Sequence, residues 1–326
     1  MARKFLRFLI LVVALGSIAA GAFVWGAGQY QRPGPSTHET IVVIPSGAGV
    51  ERIANILVTM GVIDDALIFR LGVRLSGADT ALRAGEYAFP AAVSAGGAVA
   101  VLQSGKPVAR RLTIPEGLTS AEALLLISDA VGMTGDIALP AEGTLLPETY
   151  HYSYGDSRLD LVRRMTGAMD ETLARLWAEK AGDSPIKTPA EALVLASIVE
   201  KETAIANERP HIAGVFINRL KRGMRLQSDP TVVFGLTGGA GALGRSLNRD
   251  DLKKPHPYNT YMIKGLPPGP ICNPGIDAIA AVLNPMATED LYFVADGSGG
   301  HVFSKTLKEH NRNVAKWRKI RDAAGG

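Results

Sequence analysis

A single cysteine among 326 residues, Cys272, removes two kinds of chemistry at once. No intramolecular disulfide can form, and no cysteine-cluster metal site can be assembled. A lone cysteine of this kind reads as a small buried hydrophobe. Six histidines are present, but none stands in H-E-x-x-H or in another close pair, so a metallohydrolase has no motif to rest on. Charge of one sign is also scarce. Lys and Arg number 35 against 31 Asp and Glu, and part of the net +4 sits at the two ends, which argues against a nucleic-acid-binding face. Gly105-Lys106 lacks the upstream glycine and the following Ser or Thr of a phosphate loop. Gly239 to Gly244 spells G-x-G-x-x-G, but Arg245-Ser246-Leu247-Asn248 follows with no clear helix, so the match is a chance one. Neither a cofactor nor a metal is expected.

What is present is ordinary globular material, 47% hydrophobic and 20% charged, with enough length for two domains beside an anchor. No charged residue occurs from Phe8 to Gln31, a stretch long enough to cross the ~30 Å hydrocarbon core. Arg3, Lys4 and Arg7 precede it and only Arg32 follows closely, so the positive-inside rule puts the N-terminus in the cytoplasm. A cleaved signal peptide is the rival reading, but the run is long for a signal core. The expected order is a tail at 1–7, a transmembrane helix at 8–30, a linker at 31–38, a small α+β region at 39–108 and a larger α+β region at 109–326.

In the first region Thr40–Pro45 and Gly85–Phe89 read as strands, and Val50–Met60, Asp65–Leu71 and Ser94–Leu102 as helices. Ile44-Pro45-Ser46-Gly47 is echoed at Ile114-Pro115-Glu116-Gly117, each before a helix. In the second region Ser120–Val131 and Leu159–Ala181 read as helices, and Leu291–Ala295 with His301–Phe303 as a hairpin. The loop Ala141–Tyr152 sets Glu148 among Tyr150, His151 and Tyr152, which suits sugar binding, although an ordinary connecting loop has the same letters.

The larger region is organised around Thr188–Pro230. Thr188 caps, Pro189 fits the first turn, and Glu191 is placed to complete a capping box. Ala192–Val199 is apolar except for Ser197, so the helix is buried nearly all round. It ends in Glu200-Lys201-Glu202-Thr203. Burial and the C-terminal helix dipole both raise a carboxyl pKa, as a general acid requires. Glu202 shares its stripe with Leu195, Ile198 and Val199, bulkier neighbours than the Leu193, Ala196 and Ser197 beside Glu200. The pattern leans to Glu202 and leaves both open. After a further helix at Pro210–Lys221, Gln227-Ser228-Asp229-Pro230 reads as a turn.

At these residues the chain resembles the YceG-like (MltG) family of endolytic murein lytic transglycosylases. The motifs are Glu142-Gly-Thr-Leu-Leu-Pro-Glu-Thr-Tyr150, Leu195-Ala-Ser-Ile-Val-Glu-Lys-Glu-Thr203, Val215-Phe-Ile-Asn-Arg-Leu220, Met224-Arg-Leu-Gln-Ser-Asp-Pro-Thr231, Tyr258-Asn-Thr-Tyr261, Gly265-Leu-Pro-Pro-Gly269 and Tyr292-Phe-Val-Ala-Asp-Gly297. The resemblance implies a LysM-like first subdomain, a catalytic domain with a lysozyme-like catalytic helix, and Glu202 as the catalytic residue. It implies cleavage of the MurNAc-β-1,4-GlcNAc bond inside peptidoglycan strands with a 1,6-anhydro end, at the outer side of a bacterial inner membrane, beside membrane-bound synthases. Glu148, Gln227, Asp229, Tyr258 and Asn259 are the expected substrate contacts, with a structural role the alternative for each of the last four. The alternative is a membrane-anchored peptidoglycan-binding protein without catalysis.

Overall fold

The computed structural model describes residues 2–324 apart from 79, 181 and 183, so the expected limits at Met1, Ala181 and Gly326 fall outside the described residues. Among the described residues the fold is mixed and rich in helix, with three two-stranded sheets. The chain forms two compact units: residues 1–110 with 152–155, and residues 111–151 with 156–326.

The first unit begins with α1 (Ala2–Gln31), which is long and apolar enough to cross a membrane. A signal sequence passes the same test of length and composition. Then follow β1 (Thr40–Ile44), α2 (Val50–Thr59), α3 (Ala66–Ser76), β2 (Gly85–Phe89) and α4 (Ala95–Ser104). β1 and β2 pair antiparallel with Ile44 opposite Gly85. Period-2 alternation puts Val42, Ile44, Tyr87 and Phe89 into a core closed by Ile53, Leu57, Phe69, Val73 and Leu102. Helix α3 runs five residues past the expected Leu71. Gly72 weakens a helix by itself, but here a Cβ would lie 2.1 Å from the Tyr30 ring, so only glycine lets the end of α1 seat on it. Gly77 then ends α3 in the left-handed conformation.

β3 (Arg110–Thr113) pairs with β4 (Thr149–Tyr152), and α5 (Ser120–Ser128) lies between them in sequence. The strand–turn–helix echo is real in its backbone: Gly47 and Gly117 both take positive φ, 74° and 77°. The core of the second unit is built by α6 (Arg158–Ala178), α7 (Pro189–Glu202), α8 (Arg209–Lys221) and α10 (Ile276–Leu283). Between the last two, α9 (Asp229–Thr237) replaces the expected turn. Proline is tolerated in a first helical turn, where its missing N–H loses no bond, so Asp229-Pro230 opens a helix. The hairpin of β5 (Tyr292–Ala295) and β6 (His301–Ser304) pairs Ala295 with His301, and α11 (Leu307–Ala324) follows.

Candidate active site

Helix α7 carries the expected acids because its start, middle and end are each fixed locally. Thr188 Oγ1 accepts from the Glu191 N–H at 3.1 Å. The return half of the capping box is displaced by one residue, since Glu191 accepts from the Lys187 N–H at 2.6 Å. Ser197, the lone polar residue of the apolar run, donates to the Val194 carbonyl and accepts from the Ile271 N–H at 2.9 Å. It therefore docks the segment leading to α10 without leaving a polar atom unpaired. The Cys272 thiol donates to the Ser197 carbonyl, and burial pushes its pKa up, so it acts as core. Thr203 leaves the helix in extended backbone, φ −146°.

The two acids have different fates. The Glu200 side chain is 5% exposed and is held by the Arg209 guanidinium at 3.2 Å and the Gly275 N–H at 2.8 Å. Arg209 also meets Glu116 at 3.1 Å and Asp277 at 3.4 Å. Gly275 leaves the room that the Glu116 carboxylate occupies, since a Cβ there would force that carboxylate to move. Glu200 is thus a member of an ion-paired cage that ties the end of α7 to α8 and α10.

Glu202 has no such cation in contact. It is part-buried, and the Ser228 hydroxyl donates to its Oε1 at 2.5 Å. Burial is the largest influence on its pKa. The Ser228 hydrogen bond opposes burial, the Asp229 charge adds to it, and His301 and Arg219 oppose it, leaving the carboxyl pushed up to about 7. Such a group is protonated in a large share of molecules at neutral pH and can give and then take a proton.

Ser228 is itself fixed. Its N–H donates to Thr260 Oγ1 at 2.9 Å, and its carbonyl accepts from Thr231 Oγ1 at 2.6 Å. Gln227 beside it is exposed with φ 51°, left-handed backbone that a non-glycine residue adopts at some cost. Asp229 is exposed and accepts from the Tyr261 hydroxyl at 2.6 Å. On another side, Glu208 binds the His301 ring Nδ1–H at 2.7 Å, the His301 N–H at 2.9 Å and the Thr203 hydroxyl at 3.2 Å. Burial works to raise the Glu208 carboxyl, but these donors hold it below its ordinary value. Arg219, buried in α8, donates to the Leu291 and Leu226 carbonyls at 2.6 Å each, bracing β5 and the loop that delivers Ser228.

Gln227 and Asp229 flank Ser228, whose hydroxyl meets Glu202, and the Asp229 charge acts on that carboxyl. Tyr258 is part-buried, with its ring against Phe234 at 4.8 Å. Asn259 is corrected from a substrate contact to a loop clamp: it is 1% exposed, and its amide donates to the Leu252 and Lys254 carbonyls while its Oδ1 accepts from the Tyr261 N–H. Glu148 is exposed, its Oε2 accepts from the Thr149 N–H, and its charge acts on Tyr150. A second carboxyl raised by burial, Glu142, accepts from the Ser120 N–H at 2.8 Å and serves the start of α5. Sequence reasoning did not single out Ser228, Tyr261, His301, Glu208 or Arg219. Ser228, Tyr261 and Arg219 sit inside quoted motifs, which was the available signal.

Among the described residues no group of three or more His, Cys, Asp or Glu side chains is arranged to hold a metal. The prominent concavities lie against α2, between α1 and α3, and between β6 and α11, and Glu202 lines none of these. Glu202 is part-buried, and the segment that carries its Ser228 partner exposes Gln227 and Asp229 on either side of that serine.

The YceG-like family model matches residues 42–316. An endolytic murein transglycosylase of Bacillus subtilis is 32% identical over 92% of this chain and 91% of its own length. One of Streptococcus pneumoniae is 34% identical over 84% of this chain and 58% of its own length. The crystal structure of a yceG-like protein from Listeria monocytogenes, 32% identical, covers 85% of this chain and 99% of that one with a TM-score of 0.53. A family model spanning most of the chain and a relative that matches nearly end to end lead to one conclusion: the chain belongs to the YceG-like family.

Proposed function

We propose that this protein is a membrane-anchored endolytic murein lytic transglycosylase with Glu202 as its only acid/base. The observation that carries the reading is a carboxyl raised to about 7 at the end of a buried helix, with one hydroxyl donor and no cation in contact. It joins the activity named for the relatives from Bacillus and Streptococcus. Protonated Glu202 donates to the glycosidic oxygen that leaves. As a carboxylate it then takes the proton from the C6 hydroxyl of the same muramyl residue, and that oxygen closes on C1. The nucleophile is part of the substrate, so no water has to be positioned. Gln227 and Asp229 are placed to meet the hydroxyls of a glycan strand. The positive-inside pattern around α1 supports a location of this unit outside the cytoplasm, and the first unit is a candidate to hold the glycan.

The test is the product. Mass spectrometry of digested murein should show 1,6-anhydro-muramyl ends and intact strands shortened from within. Reducing ends carrying water would show a hydrolase, with Asp229 as the second carboxylate that such a reaction needs.

The pH profile is a further prediction. The free enzyme must start protonated at Glu202, so kcat/KM should fall as pH rises through about 7. Ser228 stabilises the ionised form, so Ser228→Ala should move that basic limb to higher pH. Asp229 acts in the opposite sense through its charge, and Asp229→Asn should move the limb down. A limb that stays in place in both variants would detach the titration from Glu202.

A further inference from the structure

Helix α3 presents a face that its own unit does not cover. Phe69 and Val73 point into the core, whereas Leu67, Leu71 and Leu75 are 56%, 46% and 74% exposed. Their i, i+4, i+8 spacing makes one apolar stripe, flanked by the exposed Arg70 and Arg74. The stripe continues onto α1. Leu71, Gly72 and Leu75 face Phe23, Gly26 and Ala27 across a shallow apolar groove.

The height of that groove can be placed along α1. At 1.5 Å per residue, Phe23 stands about 24 Å and Ala27 about 30 Å from Arg7. The hydrocarbon core is about 30 Å thick. With Arg7 at one headgroup layer, Phe23–Ala27 is still at the acyl edge of the other leaflet. Whatever packs beside it is there too. The polarity of α3 runs the matching way. Its acidic start, Asp64-Asp65, shares a groove with Gln29, near the end of α1, and with Arg32 just beyond it, while Leu75 lies beside Phe23. At this junction the Tyr30 ring fills the space over Gly72 and Gly96.

We propose that α3 lies in the leaflet opposite Arg7, with Leu71 and Leu75 in the acyl region and Arg70 and Arg74 among phosphate headgroups. Arg70 has only a loose, exposed contact with Glu51, 3.6 Å, and its guanidinium remains open to solvent. Long cationic side chains reach headgroups from an apolar face in this way. The occupant is the bilayer, since the stripe is continuous with a span already in it. The inference requires α1 to remain attached and does not depend on the catalytic reading.

The experiment uses the full chain reconstituted in vesicles of phosphatidylethanolamine and phosphatidylglycerol. Leu67→Cys, Leu75→Cys and, as a control on α2, Thr59→Cys are labelled with an environment-sensitive fluorophore. All three sites are exposed, and Cys272 is fully buried, so it does not compete in the folded protein. The label at 75 should emit to the blue and be quenched by acyl-brominated lipid at least about threefold more strongly than the label at 59. The label at 67 should fall between them. Aqueous iodide should reach 59 and not 75. Equal iodide access at 59 and 75 would overturn the proposal. So would a label at 75 shielded from both quenchers, which would mean that protein, a second copy included, covers the stripe.

Discussion

Glu202→Gln should lower kcat/KM for murein cleavage by about 10³–10⁴-fold, the loss of a group that acts first as acid and then as base. The fold should not suffer, and its stability should change in a pH-dependent way. Glu202 has its pKa raised from the ordinary 4.5 to about 7. Between those values the folded protein binds more protons than the unfolded chain, so stability falls as pH rises through the window. Above about pH 7 the native state carries a desolvated carboxylate, and glutamine removes that charge while keeping the shape. The variant should therefore be more stable than the parent at pH 8, by up to about 3 kcal/mol from the shift and less after allowing for partial exposure. At pH 4 the two should coincide. Denaturant midpoints at both pH values, alongside turnover, separate a chemical loss from an unfolded protein. An active Glu202→Gln protein beside an inactive but folded Glu200→Gln protein would sink the assignment.

The helix carrying this residue was legible from residues 188–202 alone. A threonine cap, a first-turn proline and an apolar run specify its start and its burial, and the structure places it at Pro189–Glu202. What the pattern left open was which acid is structural. That depends on Arg209, which meets Glu200 only once α8 has folded back, and on Gly275, 75 residues away in sequence. The same limit hid Ser228, whose hydroxyl is unremarkable until Thr260 and Thr231 aim it at Glu202. It hid the His301–Glu208 pair for the same reason. Helix α9 was missed because Asp-Pro has the composition of a turn and the local geometry of a first helical turn. Asn259 was misread because a polar residue between tyrosines resembles a sugar contact, whereas here it satisfies loop carbonyls that would otherwise be buried unpaired.

Arg209→Met should destabilise the second unit by about 3–5 kcal/mol near neutral pH, the cost of leaving a buried carboxylate without its partner. Arg209 is 8% exposed and is the cation that Glu200, Glu116 and Asp277 meet. Burial is the main reason the Glu116 carboxyl is raised, with Glu200 adding to it and Arg209 opposing. Methionine keeps most of the stem volume, so the loss reports charge more than packing. Two features separate this from a general packing defect. Adding Glu200→Gln to Arg209→Met should recover part of the loss, because the stranded charge is gone, and a double-mutant cycle reads that coupling. The deficit should also shrink in acid, where the three carboxyls become neutral. A single variant within about 0.5 kcal/mol of the parent, or a double variant no better than the single, would mean that the cage is not electrostatic. Activity adds the last link. Glu200 is two residues from Glu202, and the cage holds the end of α7 against α8 and α10, so folded Arg209→Met should lose kcat through misplacement of Glu202 while its pH limb stays near 7.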